Sequence, residues 1–213
     1  MLSISDIRKD YILHSLTEQD VDSDPIRQFS TWWNEATKAQ IEEVNAMTLA
    51  TASLEGVPSA RTVLLKGFDD NGFTFFTNYN SHKAKDLEEN PRACLLFFWK
   101  ELERQVRITG LVTKTSVSES DIYFESRPQG SRIGAWASPQ SEVITNREWL
   151  EANEKTFNDR FSNGPIKRPP FWGGYRVKPV NFEFWQGRAN RLHDRIRYAL
   201  SDNGVWTIER LAP

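Results

Sequence analysis

The chain has 213 residues, 38% of them hydrophobic and 26% charged, with a formal net charge of −2. That length allows one large domain or two small ones, and the composition is that of a folded globular protein, which excludes disorder and fibrous repeats. With the charge near neutral, a general nucleic-acid coat is excluded, and any anionic partner has to be held by local basic clusters.

Residues 1–23 are polar, mixed in charge and without a sustained period, and read as a flexible arm free to order only on binding. Asp24-Pro25 then sets an N-cap before a proline at the first helical position. Phe29, Trp32, Trp33 and Ala36 follow at helical spacing, which predicts a helix over 25–43. From Ala46 the pattern changes to short β-type runs over 46–53, 58–67, 73–78, 92–99 and 103–114. Glu55-Gly56 marks a bend between them, and Asn71-Gly72 is expected to supply the positive φ values of a tight hairpin. Ser81 is expected to cap a helix over 82–89 that stops before Pro91. Ser116 with Glu119 makes a capping box for a helix running to Arg127-Pro128, and Thr145 with Glu148 repeats the box for a helix to about Phe161. Pro165, Pro169 and Pro170 mark a loop, after which 172–178, 181–186, 194–200 and 204–210 read as strands, with Asp202-Asn203-Gly204 as the last hairpin turn. Up to nine strands and four helices without β-α-β alternation predict an α+β protein on an antiparallel barrel or sandwich. No linker or repeat is visible, so 24–213 reads as a single domain.

Several chemistries lack support. Cys94, the single cysteine, sits in the apolar run 93–99 and reads as core, so neither a disulfide framework nor a cysteine zinc site is expected. His14, His82 and His193 are scattered without metal-ligand spacing, and hydrolase-elbow, Walker and Rossmann motifs are missing. No apolar run approaches membrane-span length, and Met1 to Asp10 lacks the layout of a secretory signal, so a cytoplasmic protein is expected.

Four segments could hold anions. Arg61 and Lys66 flank an apolar strand, five residues apart and hence on opposite faces by alternation; two solvated strand ends are the plain alternative. Residues 76–83 form a strand, a turn and a helix start that place amides, a hydroxyl and basic side chains together, like a phosphate cradle, though a capped surface helix would look the same. On the helix over 116–127, Tyr123 and Arg127 share a face, with Ser131 just past its end. Finally, Trp185-Gln186-Gly187 and Arg191 to Arg195 crowd an aromatic, two guanidiniums and an imidazole around one turn, which suits a planar anionic ligand. Two such grips point to a phosphorylated cofactor and a phosphorylated substrate.

The ordered motifs Arg61-Thr-Val-Leu-Leu-Lys66, Phe76-Thr-Asn, Ser81-His-Lys83, Leu102-Glu-Arg-Gln105, Ser126-Arg-Pro128, Ser131-Arg-Ile-Gly-Ala-Trp136, Gln140-Ser141, Phe171-Trp-Gly-Gly174, Phe184-Trp-Gln-Gly187, Arg191-Leu-His-Asp-Arg195 and Glu209-Arg-Leu-Ala-Pro213 span nearly the whole chain. In this order they resemble the pyridoxamine 5′-phosphate oxidase family. The resemblance implies an antiparallel FMN-binding split β-barrel that works as a homodimer with FMN at the subunit interface. It implies FMN contacts from Arg61, Thr62, Val63, Leu64, Leu65, Lys66, Phe76, Thr77, His82, Lys83, Gln105, Gln140, Ser141, Trp185 and Arg195. The implied substrate contacts are Lys66, Tyr123, Arg127, Ser131, Arg191, Leu192 and His193, with Arg8, Lys9, Asp10 and Tyr11 of the arm as a lid and Arg191 and His193 as the catalytic pair. The implied reaction takes hydride from C4′ of pyridoxamine or pyridoxine 5′-phosphate to the flavin. Reoxidation by O2 gives H2O2, and ammonia is released from the amine. His82 stands where the family often has arginine, and the arm reads Arg-Lys-Asp-Tyr rather than Arg-Arg-Glu-Tyr. The alternatives are a flavin oxidase of the same fold acting on another substrate, such as a phenazine precursor, and a non-enzymatic binding module.

Overall fold

Asp24 folds its carboxylate onto the amides of Ile26 (2.7 Å) and Arg27 (3.2 Å) and so starts α1 (Pro25–Lys38). The helix ends five residues earlier than its pattern predicts, because Gln40 takes a left-handed φ of 54° just beyond the Ala39 cap. The computed structural model describes residues 3–6 and 10–213. Among them are five α-helices, nine strands and three single 3₁₀ turns.

The strands are β1 (Ala46–Ala52), β2 (Pro58–Leu64), β3 (Gly67–Asp69), β4 (Gly72–Asn78), β5 (Arg92–Trp99), β6 (Arg104–Lys114), β7 (Trp172–Gln186), β8 (Asp194–Leu200) and β9 (Trp206–Arg210). They pair in the order β2-β1-β5-β6-β7-β4-β3, with β8 on β7 and β9 on β8. The run 58–67 is two strands, since the chain turns after Leu64 and the Lys66 amide donates to the Thr74 carbonyl (2.8 Å). In the β3–β4 hairpin Asp69 faces Gly72, so the loop is Asp70-Asn71; only Gly72 has positive φ (124°), and Asn71 instead donates its amide to the Asp69 carboxylate. The two segments 172–178 and 181–186 are one strand. Its first part pairs with β4 and its last with β8, and Pro179, which has no amide to give, falls in the interval between the two ladders.

The remaining helices are α2 (His82–Glu89), α3 (Val117–Ser126), α4 (Gln129–Ala137) and α5 (Arg147–Arg160). The capping box at Ser116 and Glu119 forms as expected. At α5 the cap is Asn146, whose side chain accepts from the Trp149 amide (2.8 Å), one position later than a Thr145 box requires. Ser81 occupies the α2 cap position, but its hydroxyl donates to the Asn78 carbonyl (2.7 Å). The sequence gives no warning of α4: two glycines and a preceding proline hide it, and it holds because Ile133 packs with Phe124, Ile166 and Trp172.

The chain divides into two compact units. The first, Met1–Leu49, Cys94–Gly110 and Pro179–Pro213, buries Phe29, Phe97 and Trp99 with Trp32 edge-on to Phe184. The second, Ala50–Ala93 and Leu111–Lys178, buries Phe73, Phe75 and Tyr175 along the β4–β7 ladder and the aromatic cluster under α3 and α4. Helices on antiparallel ladders make this the α+β protein the sequence predicts. Among the described residues, no helix is long and apolar enough to cross a membrane.

Candidate active site

A cavity of about 1030 Å³ opens in the second unit. Its walls are β2 and the Lys66 beyond it, the end of β4, the start of α2, one side of α3 and α4, and Gln140-Ser141. Arg61, Thr62, Val63, Leu64, Lys66, Phe76, Thr77, His82, Lys83, Tyr123, Arg127, Ser131, Gln140 and Ser141 all line it. Arg61 and Lys66 thus share one cavity, contrary to the opposite faces expected from alternation, because the strand ends at Leu64 and the pleat does not continue. Leu65 between them is buried and is not part of the lining.

Lys83 is the best-defined cation of the cavity. It is only 7% exposed, and its Nζ donates to Thr77 Oγ1 (3.1 Å), Ser81 Oγ (3.2 Å) and Gln140 Oε1 (3.1 Å), all neutral acceptors. No carboxylate pairs with it among the described residues. Burial, reinforced by the Arg61 charge, pulls its pKa down to about 8. Arg61 is held by a relay: it donates to Thr51 Oγ1 (2.7 Å), which donates to Asp86 Oδ2 (2.5 Å), and Ser59 accepts a second bond. The same Asp86 oxygen lies 3.6 Å from His82 Nδ1 one helical turn earlier. Thr51 and Asp86 escaped the sequence reading, although the His82–Asp86 spacing of four on α2 was a usable signal.

Across α3 and α4 the lining is aromatic and cationic. Tyr123 stacks on Phe76 (4.0 Å between centroids, 21°), and both lie nearly parallel to Trp172. The Arg127 guanidinium sits 4.6 Å from the Trp172 ring, and its Nη1 is buried without a hydrogen-bond partner. Ser131, expected beyond a helix end, is exposed on α4 itself. Lys66 Nζ hangs 6.0 Å over the Tyr123 ring. A buried lysine with neutral acceptors and a guanidinium with an unsatisfied Nη1 suit this cavity to an anion, with flat apolar platforms beside its charges. Trp172, which carries three of those contacts, was not among the expected site residues.

The other expected residues belong to the first unit. Trp185 and His193 lie 4.6 Å apart, and Tyr11 meets both edge-on at 5.7 and 5.8 Å. His193 Nδ1 accepts from the Arg188 amide (3.1 Å), which places the imidazole proton on Nε2; burial, and then the Arg191 charge, hold its pKa below the usual value. Asn190 and Arg191 both adopt left-handed φ (55° and 62°), strained for residues with a Cβ. Arg195 donates to the buried Glu183 (2.8 Å) and to the Ala212 carbonyl (2.7 Å), and Arg107 also pairs with Glu183. Gln105 is half-buried on β6, while Leu192 and Asp10 are exposed. Arg8 and Lys9 lie outside the described residues.

The sequence model described as "Pyridoxamine 5'-phosphate oxidase" matches residues 33–159, more than half of the chain. The chain belongs to the pyridoxamine 5′-phosphate oxidase family. A second model of that family, "Pyridoxine 5'-phosphate oxidase C-terminal dimerisation region", matches 172–213 and so covers Trp185, Arg191, His193 and Arg195. The pyridoxine/pyridoxamine 5′-phosphate oxidase of Ralstonia pickettii (strain 12J) is 59% identical over 213 residues, covering all of both chains. Among solved structures, PhzG from Burkholderia lata 383, in complex with tetrahydrophenazine-1-carboxylic acid, superposes with a TM-score of 0.88 at 32% identity over 94% of this chain and 99% of that one. A pyridoxamine 5′-phosphate oxidase-related, FMN binding protein from Nostoc punctiforme PCC 73102 shares the fold, with a TM-score of 0.70 at 20% identity over 91% of this chain and 100% of that one. The expected α+β split barrel is therefore the fold of this family member.

Proposed function

We propose that the chain is an FMN-dependent oxidase that converts pyridoxamine or pyridoxine 5′-phosphate to pyridoxal 5′-phosphate, with O2 as acceptor and H2O2 as by-product. The observation that carries this reading is one cavity holding both a buried lysine with neutral partners only and a guanidinium with an unsatisfied Nη1. Such groups fit phosphate oxygens, and a volume of about 1030 Å³ is at the upper end for small-molecule sites, with room for cofactor and substrate together. Arg61, His82 and Lys83 would hold the FMN phosphate, with Thr77, Gln140 and Ser141 completing its hydrogen bonds. Lys66, Tyr123, Arg127 and Ser131 would hold the phosphate of the vitamer.

When bound, the flavin supplies the redox chemistry, accepting hydride from C4′ and delivering the electrons to O2. The protein's contribution would be placement: Arg191 and His193 would press on the pyridine ring, and Tyr11 would close over it. The description of the 172–213 region as a dimerisation region supports a homodimer; FMN would sit at its subunit interface, where Trp185 and Arg195 would meet it.

Oxidation of a phenazine precursor is the second reading, raised by the likeness to PhzG at 32% identity. The full-length relative at 59% identity, together with the joint presence of Tyr123, Arg127, Ser131, Arg191 and His193, favours the B6 vitamer. Supplying each substrate to aerobic protein and measuring H2O2 decides between them. Turnover of pyridoxamine 5′-phosphate is expected, and peroxide from the phenazine precursor alone would overturn the assignment.

A further inference from the structure

Glu103 is a buried carboxylate that none of the roles above uses. It follows a 3₁₀ turn (Lys100–Leu102) between β5 and β6 in a left-handed conformation, φ 54°, and is 2% exposed. Its own carbonyl accepts from the Gly187 amide (2.8 Å) and from Gln186 Nε2 (3.2 Å), which pins its backbone to the end of β7. Its side chain turns the other way. Oε2 accepts from the amides of Ile12 (2.9 Å) and Leu13 (3.1 Å), some ninety residues earlier in the chain. Those amides directly follow Tyr11, the residue that lies edge-on to Trp185 and His193. Gly187 completes the fit, since a Cβ there would stand 2.7 Å from Tyr11 Cβ and Cγ.

We infer that Glu103 is a positioning residue for the reaction: its carboxylate latches the arm through the Ile12 and Leu13 amides and so keeps Tyr11 against the Trp185–His193 pair. A carboxylate removed from water needs such donors, and charge-assisted bonds to backbone amides are stronger than neutral ones. The arm is anchored separately further on, where Leu16 donates to Asp194 (3.0 Å) and Arg210 grips Glu18 (2.9 Å) and the Leu16 carbonyl (3.0 Å). Loss of the Glu103 latch therefore frees residues 10–15 and leaves the segment from Leu16 to Glu18 in place.

The inference rests on the oxidase reading for its kinetic consequence but not for its structural one. Glu103→Asn tolerates the left-handed backbone yet is one methylene too short to reach the amides, whereas Glu103→Gln keeps the reach and loses the charge. In the flavin-loaded enzyme, Glu103→Asn should raise KM for pyridoxamine 5′-phosphate by about 5- to 20-fold, with kcat within about twofold and flavin content unchanged, and Glu103→Gln should recover most of the loss. In a Tyr11→Ala background, Glu103→Asn should add nothing further. Limited proteolysis, which needs no activity, should show faster cleavage within 10–15 in the Asn variant and none added near Glu18; if that variant does not fold, the Gln variant is scored the same way against wild type. A wild-type KM in Glu103→Asn, a full penalty in the Tyr11→Ala background, or unchanged cleavage would overturn the inference. Absence of turnover in the wild-type protein with protection of 10–15 still dependent on Glu103 would instead sink the oxidase reading alone.

Discussion

The Arg127 guanidinium lies over Trp172 at 4.6 Å with its Nη1 buried and unpaired, while Trp172 itself is one plane of a stack with Tyr123 and Phe76. The indole holds the guanidinium at the cavity wall, and the unpaired Nη1 leaves part of its donor capacity unused. Arg127→Ala should raise KM for pyridoxamine 5′-phosphate by about 10- to 100-fold, the value of one or two charge-assisted bonds, with kcat little changed. Arg127→Lys should recover only part, because an ammonium lacks the planar fork. Steady-state kinetics checks both; an unchanged KM removes Arg127 from the phosphate grip.

Lys83 gives a pH dependence with a definite sign. Its pKa falls from the ordinary lysine value to about 8 in the folded protein, so the native state without flavin binds fewer protons than the unfolded chain between about 8 and the ordinary value. Stability of flavin-stripped protein from this group should therefore rise with pH across that window. Flavin affinity should move the other way, weakening as pH passes 8 and the ammonium is lost, while the cofactor phosphate, with its second pKa near ~6, stays dianionic. Fluorescence titration of FMN from neutral to alkaline pH measures this. Lys83→Met should bind FMN weakly and without that slope.

His193 follows the strained turn at Asn190 and Arg191, and burial, with the Arg191 charge added to it, lowers the His193 pKa. Arg191→Ala should cut kcat/KM by about 100-fold through misplaced substrate, with flavin still bound. It should also let the His193 titration move upward, because a like charge is gone. Imidazole NMR reads both the shift and the Nε2–H tautomer that the Arg188 amide imposes. Wild-type turnover in the variant would refute the role.

Gly174 faces Phe76 across the β4–β7 ladder, and a Cβ there would stand 2.5 Å from Thr115 Oγ1 and 2.8 Å from Phe76 Cε1. Gly174→Ala should lower stability by about 1–3 kcal/mol and raise KM by disturbing the Phe76–Tyr123 stack. Gly130→Ala, on α4 with open space around it, serves as the control and should leave Tm unchanged or slightly higher. Thermal melts compare the two; equal Tm values would show that the ladder gives way without cost.

What the sequence made legible follows the reach of its signals. Asp24, Ser116 and the alternation of β5 and β6 are local, and they placed their elements well. Helix α4 was invisible because its glycines carry no propensity and its stability comes from packing Ile133 into an aromatic cluster assembled from distant segments. The cavity's cations were found by residue type, but not their common orientation, which depends on a chain turn after Leu64. Neither the Thr51–Asp86 relay nor the Glu103 latch has a local pattern, since each joins residues 35 or more positions apart.

The central claim, that one cavity brings a flavin and a phosphorylated B6 vitamer into reactive contact, is tested most directly by anaerobic mixing of flavin-loaded protein with pyridoxamine 5′-phosphate while the visible absorbance of the flavin is followed. Bleaching of the oxidised flavin with pyridoxal 5′-phosphate formed in equal amount, and recovery of the colour on admitting O2, is the expected result. A flavin that stays oxidised with substrate bound at saturation would contradict the claim.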